Sequence, residues 1–157
     1  MKKNLLFILL LIAGSASSQT ITHHYEPYLQ EVVAGGLLSC NDDDGSPHAS
    51  SYFTNFKLSN PGYEIEGDEY VISSVEFGIE EISGVASYPI TVRLYSTNQM
   101  FPTGFATLDG YTLKAEQTFQ VPAQELDIYS TAINATIPTD SWLVVEISYE
   151  EDPDGEA

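Results

Sequence analysis

The sequence predicts an all-β fold, an antiparallel two-sheet β-sandwich of jelly-roll-like topology with about eight strands. Three observations predict it. Apolar residues recur with period two rather than 3.6, the alternating segments are short and fairly evenly spaced, and no window carries the apolar stripe of a helix that could cross over between parallel strands.

The clearest strand is 71–80, where Val71, Val75, Phe77 and Ile79 are expected on one face and Ser74, Glu76 and Glu80 on the other. Ile90, Val92 and Leu94 alternate with Thr91, Arg93 and Tyr95, and Leu143, Val145 and Ile147 alternate with Val144, Glu146 and Ser148. Both segments predict strands with one wet face. Segments 20–25, 31–38, 52–58, 111–121 and 126–133 are further strands, rich in β-branched and aromatic residues. Turn chemistry separates them at Pro61-Gly62, 102–104, Asp109-Gly110 and 138–140, and the longest polar connections are 40–51 and 99–107.

The N-terminus has the three parts of a signal peptide. Lys2 and Lys3 carry the charge, 5–12 is an apolar run, and small residues follow to Ser18. A run this short falls below the roughly 20 residues that span a bilayer. Ala16 and Ser18 stand where cleavage before Gln19 requires small residues, so 1–18 is the signal, 19–149 the β-sandwich domain and 150–157 an acidic tail or truncation point. The expected location is outside the cytoplasm, secreted or at the cell surface, with no membrane insertion once the signal is removed.

Removal of 1–18 leaves three fixed cations, Lys57, Arg93 and Lys114, against 23 carboxylates, a balance of −20. Such a surface repels phosphate backbones and anionic headgroups, which disfavours nucleic-acid partners. Composition argues against disorder, because 43% of residues are hydrophobic and ten tyrosines and seven phenylalanines are available for burial.

Four residues with side-chain oxygens, Asn41, Asp42, Asp43 and Asp44, precede Gly45, and flexible oxygen-rich loops suit calcium. Asp42, Asp43 and Asp44 are therefore candidate calcium ligands, although Tyr52 stands where an EF-hand has its bidentate Glu; acid runs are also ordinary solvated turns. No other cofactor is expected. His23 and His24 are adjacent and would point to opposite faces of a strand, and His48 is remote, so no zinc set forms.

Neither a nucleophile elbow nor a Cys–His motif is present. Glu64 and Glu66 are expected on one strand face as a carboxylate pair, but 23 acids generate many such pairs. Tyr95, Tyr111 and Trp142, with Tyr88, are candidates for stacking on sugar rings, against the alternative that they cover the core edge. Cys40 is the only cysteine, which in an exported chain means a free reactive thiol, an intermolecular bridge or a partner outside these residues. Its acidic neighbours disfavour the thiolate that a nucleophile needs.

The segment TITHHYEPYLQEVV at 20–33, then Ala34-Gly35-Gly36 and Cys40, followed by 71–80, 90–95 and 143–147, resembles an N-terminal β-domain common in secreted multidomain proteins of Bacteroidetes and related bacteria. Many of those proteins use the type IX secretion system, and most are of unknown function. In that family a Pro-Asp-Gly type turn is followed by an aromatic strand, a Gly-rich segment and a second cysteine. Here Asp152, Pro153, Asp154 and Gly155 are followed by Glu156 and Ala157. The resemblance thus implies a C-terminally truncated sandwich whose closing strands, and the disulfide partner of Cys40, lie outside the chain.

These readings together predict a secreted, non-catalytic accessory or interaction domain whose partner is a polysaccharide or a cell-surface protein. The alternatives are a carbohydrate-binding module using Tyr95, Tyr111 and Trp142, and a secreted hydrolase with a carboxylate pair.

Overall fold

The computed structural model describes residues 19–22, 31–32, 49–99 and 107–150. Four strands form one antiparallel sheet in the order β1-β4-β2-β3: β1 (Ser50–Lys57), β2 (Glu69–Thr97), β3 (Thr112–Pro138) and β4 (Trp142–Tyr149). The all-β expectation holds. Among the described residues, however, there are four long or short strands rather than about eight. Segments 71–80 and 90–95 belong to one strand, β2, and 111–121 and 126–133 to another, β3. Pairing survives across Gly84 and Pro122, where alternation alone implies a break, because β2 and β3 bend together as a ribbon.

The bend follows from elementary geometry. Ile72 and Val92 are twenty residues apart on β2, about 66 Å at roughly 3.3 Å per residue in a straight strand. Both nevertheless belong to one buried cluster with Phe56, Leu58, Leu94, Ile133, Ile137 and Leu143. Ile79 and Ile90, also on β2, meet in a second cluster around Val121. The ribbon therefore doubles back, and its two halves share a core.

Register locates the corner. Gln124 pairs with Ile82 and Pro122 with Ser87, so β2 spends five residues where β3 spends two. The surplus residues bend the longer strand, as bulges do. Gly84 takes φ 79 inside this surplus, and Leu126 takes φ 49 on the facing strand. Pro122, with no N–H to contribute to a ladder, sits at the corner of β3.

A second register shift, between Ile72 and Ser74, changes which residues face inward. Simple alternation puts Val71 in the core. Instead Ile72 is 6% exposed and Val71 69% exposed. From Val75 onward the expected phase returns, with Phe77 half-buried and Ile79 buried.

Connections are held by local bonds. Asn60 caps a short 3-10 turn, Pro61–Tyr63, by accepting from the Gly62 amide at 3.0 Å, and Pro61 supplies the preset φ of a first helical position. Gln19 donates to the Tyr63 carbonyl, and Tyr70 donates to the Gln19 carbonyl at 3.0 Å. The turn from β3 to β4 closes with the Ser141 amide on the Pro138 carbonyl at 3.1 Å, and Thr139 reaches Gly67 and Asp68. No helix among the described residues is long and apolar enough to cross a membrane.

Candidate functional site

β4 lies between β1 and β2, and its sequence was expected to have one wet face. Both faces are covered: Leu143 is buried on the core side, while Val144 and Glu146 on the other side are 0% and 5% exposed. Antiparallel pairing lines up a row across all four strands, Phe53, Glu146, Arg93 and Glu116. Directly opposite side chains interact most strongly in a sheet, so this register sets the only guanidinium of the chain between two carboxylates.

Arg93 Nε donates to Glu116, and its Nη1 donates to Glu146 Oε1 at 3.2 Å and to Ser148 Oγ at 2.9 Å. Tyr95 donates to Glu146 Oε2 at 2.7 Å and Ser51 to Oε1 at 3.0 Å. Glu146 thus accepts from three side chains, which is what a buried carboxylate requires. Among the described residues it is the only buried charged side chain.

Electrostatics follow the contacts. The guanidinium holds its proton more tightly than usual, first through the hydrogen bond to Glu116 and then through the charge of Glu146, against the opposing cost of burial. Burial raises the Tyr95 hydroxyl well above its ordinary value, and the bond to Glu146 raises it further. A shallow groove of about 240 Å³ opens beside Arg93, bounded by Ser50, Ser51, Thr91, Ser148, Tyr149 and Glu150. Arg93 is already committed to two carboxylates there, so the groove offers little free positive charge.

The sequence-predicted aromatics do not form a flat platform. Tyr95 is 6% exposed, and Tyr111 meets it edge-on at 6.3 Å and 83°. The Tyr111 hydroxyl is buried without a hydrogen-bond partner among the described residues, and burial raises its pKa. Trp142 is half-buried with Lys57 Nζ 6.0 Å from its ring centre, a contact that already uses one face. Tyr88 donates to the Glu150 carbonyl at 2.7 Å and packs edge-on against Tyr149, which in turn meets Tyr52 at 6.3 Å.

Glu64 and Glu66 are exposed but not on a strand, since Glu64 takes φ 52 at the end of the 3-10 turn. The turn chemistry of Asn60-Pro61-Gly62 overrides the strand reading. Asp42, Asp43, Asp44, Cys40, His23, His24 and His48 lie outside the described residues. Among those described, no group of three His, Cys, Asp or Glu side chains is placed to hold a metal ion.

Sequence reasoning missed the Glu146–Arg93–Glu116 row. A signal existed, because a lone arginine at the wet position of a strand in so acidic a chain must find carboxylate neighbours. Which carboxylates it finds is a matter of register between segments more than 20 residues apart.

Compared with family models, curated proteins and solved structures, the chain matches none.

Proposed function

We propose that this chain is a secreted, non-catalytic accessory or interaction domain, exported through residues 1–18 and acting at the cell surface or in the medium of a Bacteroidetes-like bacterium. In this reading the doubled-back ribbon supplies the two layers of a jelly-roll-like sandwich, each long strand serving as two shorter ones.

The observation that carries the reading is the saturation of Glu146. Its two oxygens accept from Ser51, Arg93 and Tyr95, and Arg93 also takes Glu116, so the polar groups gathered on this face are spent on one another. A general acid or nucleophile needs a carboxylate free to reach substrate. The test is incubation of the purified chain with polysaccharide, ester and peptide substrates. The expected result is no turnover, and turnover abolished by Glu146→Gln or Glu116→Gln would overturn the proposal in favour of the hydrolase.

A carbohydrate-binding module is the second reading, favoured by the partial exposure of Trp142. It predicts retention on an insoluble polysaccharide that Trp142→Ala removes. If Asp42, Asp43 and Asp44 bind calcium, chelator lowers the melting temperature and Asp42→Ala abolishes that response.

A further inference from the structure

Gln19 is the residue that cleavage after Ser18 makes the new N-terminus, and the fold holds it in place. Its side-chain Nε2 donates to the Tyr63 carbonyl, and its own carbonyl accepts from the Tyr70 hydroxyl at 3.0 Å. Two residues further on, Ile21 is half-buried and packs against the cluster that contains Phe56, Leu58 and Ile72. The segment that follows the expected cleavage point is thus anchored from its first residue.

The partners arise from local structure. Tyr63 ends the 3-10 turn Pro61–Tyr63, and the last carbonyls of a helical turn find no amide within it. The Gln19 carboxamide satisfies the Tyr63 carbonyl from outside the turn. Tyr70 stands at the start of β2, where pairing with Ile137 fixes its backbone.

A glutamine at a free N-terminus has a reaction that an internal glutamine lacks. The α-nitrogen attacks the side-chain Cδ, the new N–C bond closes a lactam ring, and the Cδ–Nε2 bond breaks. Nε2 leaves as ammonia with a proton from the attacking nitrogen, and nothing is oxidised or reduced. The atom that leaves is the one that donates to Tyr63. Docking and cyclisation therefore compete for a single atom, and the pyroglutamate product has lost the carboxamide donor. Gln19 is exposed, so these bonds rather than burial restrain it. A group held by native bonds reacts from a locally opened state.

We infer that Gln19 of the processed chain is a modification switch on the N-terminal segment: docked, it persists as glutamine, and conversion to pyroglutamate releases it from Tyr63. This rests on the export reading, which places the cleavage before Gln19.

The test uses the full chain expressed in a bacterium that processes the signal, with the mature protein recovered and incubated in buffer. Intact mass reports the loss of one ammonia, and Edman degradation reports the free α-amine; a synthetic peptide of residues 19–22 sets the unrestrained rate. The folded chain should cyclise at least about tenfold more slowly than the peptide, because it must first open locally. Tyr70→Phe should speed cyclisation of the folded chain by about twofold to tenfold, the contribution of one neutral hydrogen bond. Ile21→Ala, which loosens the segment without removing either bond, should speed it as well. Cyclisation forced with a glutaminyl cyclase should raise amide hydrogen exchange at residues 20–22. A mature chain recovered already cyclised, equal rates for folded chain and peptide, variants no faster than the unaltered chain, or unchanged exchange after cyclisation would overturn the inference. Those failures leave the export and interaction-domain readings intact. A chain that is not processed, or that starts elsewhere than Gln19, overturns the inference together with the assignment of residues 1–18 as the signal.

Discussion

Arg93 and Glu146 stand directly opposite each other on β2 and β4, joined at 3.2 Å, and the two partners differ sharply in exposure: 29% for the Arg93 side chain and 6% for that of Glu146. The carboxylate is thus the more deeply committed partner. On the other flank Glu116 is 49% exposed, so its share of the same guanidinium is screened by water.

Glu146→Ala is expected to destabilise the chain by about 3 kcal/mol, because it leaves Tyr95 and Arg93 donors without their buried acceptor. Glu116→Ala should cost less than about 1 kcal/mol. Urea denaturation of both variants checks the order, and equal costs would mean that the row is not organised around Glu146.

Tyr95 and Tyr111 predict opposite outcomes for the same chemical change. Tyr95→Phe removes a hydrogen bond to a carboxylate, worth about 1.5–3 kcal/mol, whereas Tyr111→Phe removes a buried hydroxyl that has no described partner and should be neutral or stabilising by about 1 kcal/mol. The raised folded-state value of Tyr95 also sets a pH dependence. Above about pH 10, the unfolded-state value, the unfolded chain releases this proton while the folded chain keeps it, so stability falls as pH rises. Urea midpoints taken at pH 9, 10 and 11 should decline, and less steeply in Tyr95→Phe.

The register shift after Ile72 makes two neighbouring residues unequal. Ile72→Ala should cost about 2–5 kcal/mol and Val71→Ala less than about 0.5 kcal/mol. Chemical denaturation that found Val71 the costlier truncation would restore the uninterrupted alternation.

At the corner of the ribbon, backbone conformation outweighs side-chain size. Leu126 is 42% exposed and pays for a positive φ, so Leu126→Gly should be neutral or stabilising by up to about 1 kcal/mol. Gly84→Ala, in the same left-handed region, should cost about 1–2 kcal/mol. Thermal unfolding of the two variants should shift in opposite directions or, for Leu126→Gly, not at all.

Strand chemistry was readable along the chain. Ile90, Val92 and Leu94 face the core as their alternation predicts, and Leu143, Val145 and Ile147 do the same. The turn at Asn60-Pro61-Gly62 was likewise announced by its residues, though not its effect on Glu64 and Glu66. The candidate site was legible only in part: Tyr95 and Arg93 stood out, while Glu116, Glu146, Ser51 and Ser148 became partners only through pairing.

Period-two patterning is a local property, set by which way each successive Cβ points, and so the amino-acid order alone determined that this chain is built from strands and where several of their inward faces lie. Tertiary structure decided that two long strands bend as one ribbon, that Ile72 displaces Val71 from the core, and that Arg93 sits between Glu146 and Glu116. Those outcomes depend on register, bulges and contacts between residues tens of positions apart, and a one-residue slip in pairing exchanges every buried side chain for an exposed one.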